Sequence, residues 1–131
     1  MVELLNRHDT PTYLVTDPDV ARELVEPLAG PGLRLQFDTY HVARLGRDVV
    51  GELDALAPLI GHVQVADAPG RHEPGSGVID WPGFFSALAA SGYEAGVGLE
   101  YHPAGTTTAG LAWLPRAARG WTAEPFIPRA G

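Results

Sequence analysis

Apolar residues recur along the chain in short runs separated by longer amphipathic stretches. Four runs, at residues 2–5, 33–37, 60–65 and 96–100, have the length and bounds of β-strands. Helical patterns lie between them. The first starts at Thr16 or Asp17 with Pro18 in the first helical position, carries Val20, Leu24, Val25 and Leu28 as an apolar stripe, and stops at Gly30. A second spans 47–59 with Val49, Val50, Leu53 and Leu56. In "WPGFFSALAASG" the pattern turns Phe84, Phe85 and Leu88 inward and ends at Gly92. A fourth, weaker helix starts among the threonines of "TTTAGLAWLPRAARG", and Pro115 should kink or shorten it. Residues 119–131 hold two prolines and little periodicity, and are expected to be irregular.

Strand and helix alternating four times predict βα units and an α/β fold with a parallel sheet, its mostly apolar strands covered by helices on the outer face. Four units are half of a (β/α)8 barrel, which needs about 250 residues. They could equally form a small open sheet.

With 131 residues, 45% of them hydrophobic and 19% charged, the chain is sized for one domain. Its net charge of −7, with nine scattered basic residues, argues against a nucleic-acid surface and for a small soluble substrate. No run approaches the roughly 18 apolar residues of a membrane span. The opening "MVELLNRHD" lacks the features of a secretory signal, so a cytoplasmic location is expected. Cysteine is absent, so any metal must be held by oxygen or nitrogen.

The candidate chemistry sits at the strand ends. Glu3 lies in the first strand, Asp38 ends the second, Gln64 lies in the third and Glu100 ends the fourth, at intervals of 35, 26 and 36 residues, each about one βα unit. Neighbouring strands would thus each deliver one oxygen-bearing side chain at a comparable height, on the face where parallel sheets carry their sites. Three carboxylates aimed at one point repel by about 4 kcal/mol per pair at about 4 Å and an effective dielectric near 20. A divalent cation would cancel that repulsion, and an all-oxygen set suits Mg²⁺ or Mn²⁺ better than zinc. The plainer alternative is a set of solvated strand-end acids beside a hydrogen-bonded core amide.

The stretches "VELLNRHD", "FDTYH", "HVQVAD", "GRHEPGSGVIDW" and "GLEYHPAGTTTAGLAWL" resemble the C-terminal half of the hydroxypyruvate isomerase family, within the xylose isomerase-like (β/α)8 barrels that also include ketose 3-epimerases and inosose dehydratases. The resemblance runs from Glu3 to about Leu114. It implies that residues 1–118 form the C-terminal half of such a barrel, and that Glu3, Asp38, Gln64 and Glu100 are metal ligands, with the two glutamates also acting as acid and base. It further implies that His41 and Arg71 contact substrate oxygens, and that glutamine at position 64, where the epimerases usually carry histidine, tilts the comparison toward the hydroxypyruvate isomerases. The implied reaction converts a 2-keto-3-hydroxy acid to its aldehyde isomer through an enediolate. The alternatives are a ketose 3-epimerase, an inosose dehydratase, or a non-catalytic half-barrel that binds metal or assembles with another subunit.

Other polar residues carry weaker expectations. Asp80 should cap the helix at Trp81, Glu73 should be exposed or orient Arg71, and Asp9 should enter the site or cap the following segment. His8, His62, His72 and His102 show no metal spacing. Trp81, Trp113 and Trp121 are expected to pack. A half-barrel by itself should expose two sheet edges and an apolar inner face, so the chain is expected to be either an incomplete fragment, inactive alone, or a half-barrel that pairs with a second copy or a separately encoded N-terminal half.

Overall fold

A computed structural model describes residues 1–30 and 32–116. The four expected strands form one parallel sheet: β1 (Val2–Glu3), β2 (Leu35–Asp38), β3 (Ile60–Val65) and β4 (Val97–Leu99), lying side by side in chain order. Parallel neighbours need a crossover between them. These crossovers carry α1 (Pro18–Val25), α2 (Thr39–Arg44), α3 (Val49–Leu56) and α4 (Trp81–Ala90), and α5 (Thr107–Gly110) follows β4.

The helix starts follow local chemistry. Asp17 caps α1 by accepting from the Asp19 amide at 2.9 Å, with Pro18 behind it. Asp80 caps α4 by accepting from Gly83 at 3.1 Å, as expected. Capping by Asp48 starts α3 at Val49, and a 3₁₀ turn at Ala57–Leu59 replaces its expected last turn. Past the end of α4, Gly92 has φ +76°, a left-handed conformation that costs glycine little. At four residues, α5 ends before Pro115 can disturb it. The expected irregular tail at 119–131 and Trp121 lie outside the described residues.

Strand alternation gives the sheet two unlike faces. Leu4, Leu35, Phe37, Val63 and Val65 are fully buried against Val25, Leu53, Leu56, Phe84 and Leu88. Burying each large side chain contributes about 1.5–3 kcal/mol. Trp81, Phe84, Phe85 and Trp113 extend this core as an aromatic cluster, with Phe85 stacked on Trp113 at 6.2 Å between centroids. The other face is polar, because register aligns Glu3 with Gln36, Gln36 with His62, and Asp38 with Gln64. This corrects the expectation of an apolar inner face: the strands' large apolar residues are committed to the helix side.

The expected first helix ends at Val25 and gives way to a 3₁₀ turn at Glu26–Leu28, and its apolar stripe is only partly used. Ala21 and Val25 are buried, whereas Val20, Leu24 and Leu28 are 42%, 38% and 61% exposed. Helical spacing defines the stripe but not how much of it a neighbour covers. Phe37→Ala should cost about 3–5 kcal/mol in urea unfolding, and Gln36→Ala on the opposite face about 1 kcal/mol or less. Equal losses would contradict this division of the sheet.

Candidate functional site at the strand ends

Glu3, Asp38, Gln64 and Glu100 lie at or just past the C-terminal ends of the four strands, but in steps and not at one height. Glu3 pairs in register with Gln36, two residues short of Asp38. Asp38 is level with Gln64, and Gln64 with Gly98, so Glu100 lies two residues further on. Such a stagger accompanies strands that tilt as in a barrel wall. Gln64 Oε1 accepts from Gln36 Nε2, which holds the amide on the polar face.

Asp38 has two tasks. Its Oδ1 accepts from the Tyr40 amide at 2.8 Å and caps α2, while Oδ2 faces Arg71 Nη2 at 3.4 Å and His41 Nε2 at 3.9 Å. α2 has no periodic signature in the sequence, because six residues are too few for an apolar stripe. That helix turns His41 back toward Asp38 one turn later, where it is buried. His41 Nδ1 is met by the Asn6 amide at 3.0 Å and by Asn6 Nδ2 at 2.8 Å. Asp9, in turn, accepts from Asn6 Nδ2 at 2.9 Å and from the Tyr40 hydroxyl at 2.7 Å. It therefore supports the site's wall from its exposed rim.

Arg71 closes the opposite side. Its Nη2 donates to Glu100 Oε2 at 2.7 Å and to Asp38, and its guanidinium lies 4.8 Å from the centroid of the Tyr40 ring. Arg71 has φ +56°, an uncommon backbone state for a residue with a side chain. The loop holding it is fixed by Asp67, a fully buried carboxylate that accepts from the amides of Ala68, Gly75, Gly77 and Ile79 and from Trp81 Nε1. A Cβ at Gly77 would collide with the Ala68 carbonyl, so that turn requires glycine. Glu73 accepts from the Ala104 amide at 2.9 Å and ties this loop to the segment after β4. Among the remaining histidines, His62 shares the polar face with Gln36, and His72 Nδ1 meets the His102 carbonyl at 2.7 Å.

Asn6 and Asp67 are supporting residues that the sequence pattern does not single out. Asn6 stands inside "VELLNRHD" and Asp67 ends "HVQVAD". An acid between an apolar strand and a glycine-rich loop was the available signal for Asp67. Nothing local distinguishes Asn6, whose partner is 35 residues away.

The electrostatics are those of crowded acids. Burial pushes the Asp38 carboxyl up to about 8, against hydrogen bonding from Tyr40 and the Arg71 charge, with Glu100 adding to the rise. Burial also raises Glu3, a hydrogen bond from Gln36 opposes this, and the Glu100 charge reinforces it. One guanidinium thus faces three carboxyl groups. Glu3, Asp38 and His41 each bring a potential ligand atom within 4.8 Å of the others. A hard divalent cation fits this donor set, since it would supply the positive charge that burial and crowding demand.

Asp38 holds a proton in the folded state that the unfolded chain releases, so this contribution to stability is full at low pH and is lost as pH rises through about 8. His41 acts oppositely, because burial and then the Arg71 charge lower it from 6.5 to about 4 and its contribution is lost as pH falls through that range. Above about pH 6.5 the His41 contribution is constant and the Asp38 slope continues. The metal-free melting temperature should therefore fall between about pH 6.5 and 8.5, and Asp38→Asn should flatten that slope. A flat parent profile would contradict it.

Residues 1–117 match the family model described as xylose isomerase-like TIM barrel. Hydroxypyruvate isomerase of Escherichia coli K12 is 36% identical over 114 residues, covering 87% of this chain and 44% of that protein. The 2-oxo-tetronate isomerase of Cupriavidus necator is 35% identical with the same coverages. A solved structure described as AP endonuclease, family 2, from Brucella melitensis superposes with a TM-score of 0.79 at 38% identity, over 86% of this chain and 43% of that one. The chain thus spans less than half the length of these relatives. With its four parallel strands and their stepped acids, it belongs to the xylose isomerase-like TIM barrel family.

Proposed function

We propose that this chain carries the metal-binding and proton-transferring residues of an isomerase for small hydroxy-keto acids, with hydroxypyruvate as the first substrate to test. The convergence of Glu3, Asp38 and Glu100 beside Arg71 and His41 supports this reading, together with the two isomerase relatives. Mg²⁺ or Mn²⁺ would be held by Glu3, Asp38, Gln64 and Glu100, and when bound it supplies a Lewis acid for adjacent carbonyl and hydroxyl oxygens.

The residues divide the remaining work. Arg71 has five N–H donors and, among the described residues, uses Nη2 on Asp38 and Glu100, which leaves Nε and Nη1 to meet a substrate carboxylate. One glutamate takes a proton from C3, and the C–H electron pair becomes the C2–C3 double bond while the carbonyl pair moves to O2. The other glutamate returns a proton to C2, and the hydroxyl proton of O3 passes to O2 as O3 becomes the aldehyde oxygen. Proton count and charge are unchanged overall. His41 meets the oxygen on which charge develops.

The polar face of the sheet holds these groups, and four further βα units would wall it. A separately encoded half-barrel, a second copy or further residues of the same protein would supply them. Exposed Val20 and Leu24 on α1, with Leu28 in the 3₁₀ turn that follows, offer apolar surface for that contact. Among the described residues, no helix is long and apolar enough to cross a membrane.

Calorimetric titration with Mn²⁺ should show one site, weakened at least about tenfold in Asp38→Asn and in Glu100→Gln. Unchanged binding in either variant would remove that residue from the site. Adding the N-terminal half of a relative in trans should yield turnover of hydroxypyruvate. Turnover of a longer ketose instead would assign an epimerase, and metal binding without turnover would leave a non-catalytic half-barrel.

A further inference from the structure

The ring nitrogens of His41 are not equivalent, and the cause lies in Asn6. A backbone N–H can only donate, so the Asn6 amide at 3.0 Å requires Nδ1 of His41 to be an acceptor. The Asn6 side chain reinforces this. Its Oδ1 accepts from the amides of His8 at 3.1 Å and Asp9 at 2.9 Å, which fixes the orientation of the carboxamide. Nδ2 then has one hydrogen for Asp9 Oδ2 and the other for His41 Nδ1, at 2.9 and 2.8 Å. Asn6 is fully buried, and its carbonyl accepts from both the amide and the hydroxyl of Thr10. Every polar group of Asn6 is therefore used, and the residue cannot turn without leaving buried donors unpaired.

We propose that Asn6 is a positioning residue that fixes the His41 proton on Nε2, making that nitrogen a permanent hydrogen-bond donor into the site and excluding it as a metal ligand. Two N–H groups on the Nδ1 lone pair leave a neutral ring with its proton on Nε2, and a protonated Nε2 has no lone pair for a cation. His41 lies close enough to Glu3 and Asp38 to be counted with them as a ligand. The hydrogen bonds assign it differently: the carboxylates and Gln64 would hold a cation, while His41 would donate to an oxygen of the bound molecule. That oxygen is the substrate's only if the proposed function holds; the tautomer and its cause stand apart from it.

The tautomer can be read directly. In the ¹⁵N-labelled chain, with the His41 signals identified by their loss in His41→Gln, long-range ¹H–¹⁵N correlation should show an unprotonated Nδ1 and a protonated Nε2. Saturating Mg²⁺ should leave this pattern in place. A shift of the proton to Nδ1 on adding Mg²⁺ would show ligation through Nε2 and overturn the proposal, as would an Nδ1–H form in the metal-free chain. Asn6→Asp replaces the Nδ2 donor with an acceptor and should move the Nδ1 resonance toward its protonated position. Asn6→Ala, which removes only that donor, should move it less in the same direction. If the variants that fold leave the resonance unmoved, the Asn6 side chain has no part in setting the tautomer. Failure of turnover with an intact Nε2–H pattern would count against the proposed reaction alone.

Discussion

Asp38 is buried in a place it cannot leave. One carboxyl oxygen caps α2 through the Tyr40 amide, so the other is held toward Glu100, Arg71 and His41 whatever its charge. An exposed acid would relieve crowding by rotating into water. Here rotation would uncap a helix and expose the turn that carries His41. The group instead takes up a proton, accepts the Arg71 guanidinium, or binds a cation, and these three responses compete for the same oxygen. The site's acid–base behaviour and its capacity for metal both descend from that constraint.

The surrounding structure serves the same end from two sides. Asn6, Asp9 and Tyr40 form a hydrogen-bonded wall behind His41, and Asp67 gathers the loop that brings Arg71 across. Asn6, Tyr40 and Asp67 are buried with their polar partners supplied, which makes both supports rigid and costly to disturb. The apolar side of the sheet holds the backbone of the strands in register. Its polar side is thereby free for chemistry, and the stagger from Glu3 to Glu100 follows the register of the strands.

Much of this can be read along the chain, where signals are local and strong. Four apolar runs give four strands, and aspartate followed by proline gives the start of α1, because capping and a fixed φ act within a few residues. The intervals between Glu3, Asp38, Gln64 and Glu100 bring them to one edge, since each βα unit returns the chain to the same end of the sheet. The sequence does not disclose α2, whose stability comes from Asp38 and burial, not from periodicity. Nor does it disclose the exposure of Val20, Leu24 and Leu28, which depends on what packs beside α1. Asn6 and Asp67 escape notice because their meaning lies in partners brought together by folding.

The convergence of oxygens on one centre is tested most directly by anomalous diffraction at the manganese edge from a crystal soaked in Mn²⁺. The expected result is a single strong peak contacted by carboxyl oxygens of Glu3, Asp38 and Glu100, with the His41 ring still held against Asn6. A peak at another acidic cluster, or none at these strand ends, would contradict the assignment of this face as the metal centre.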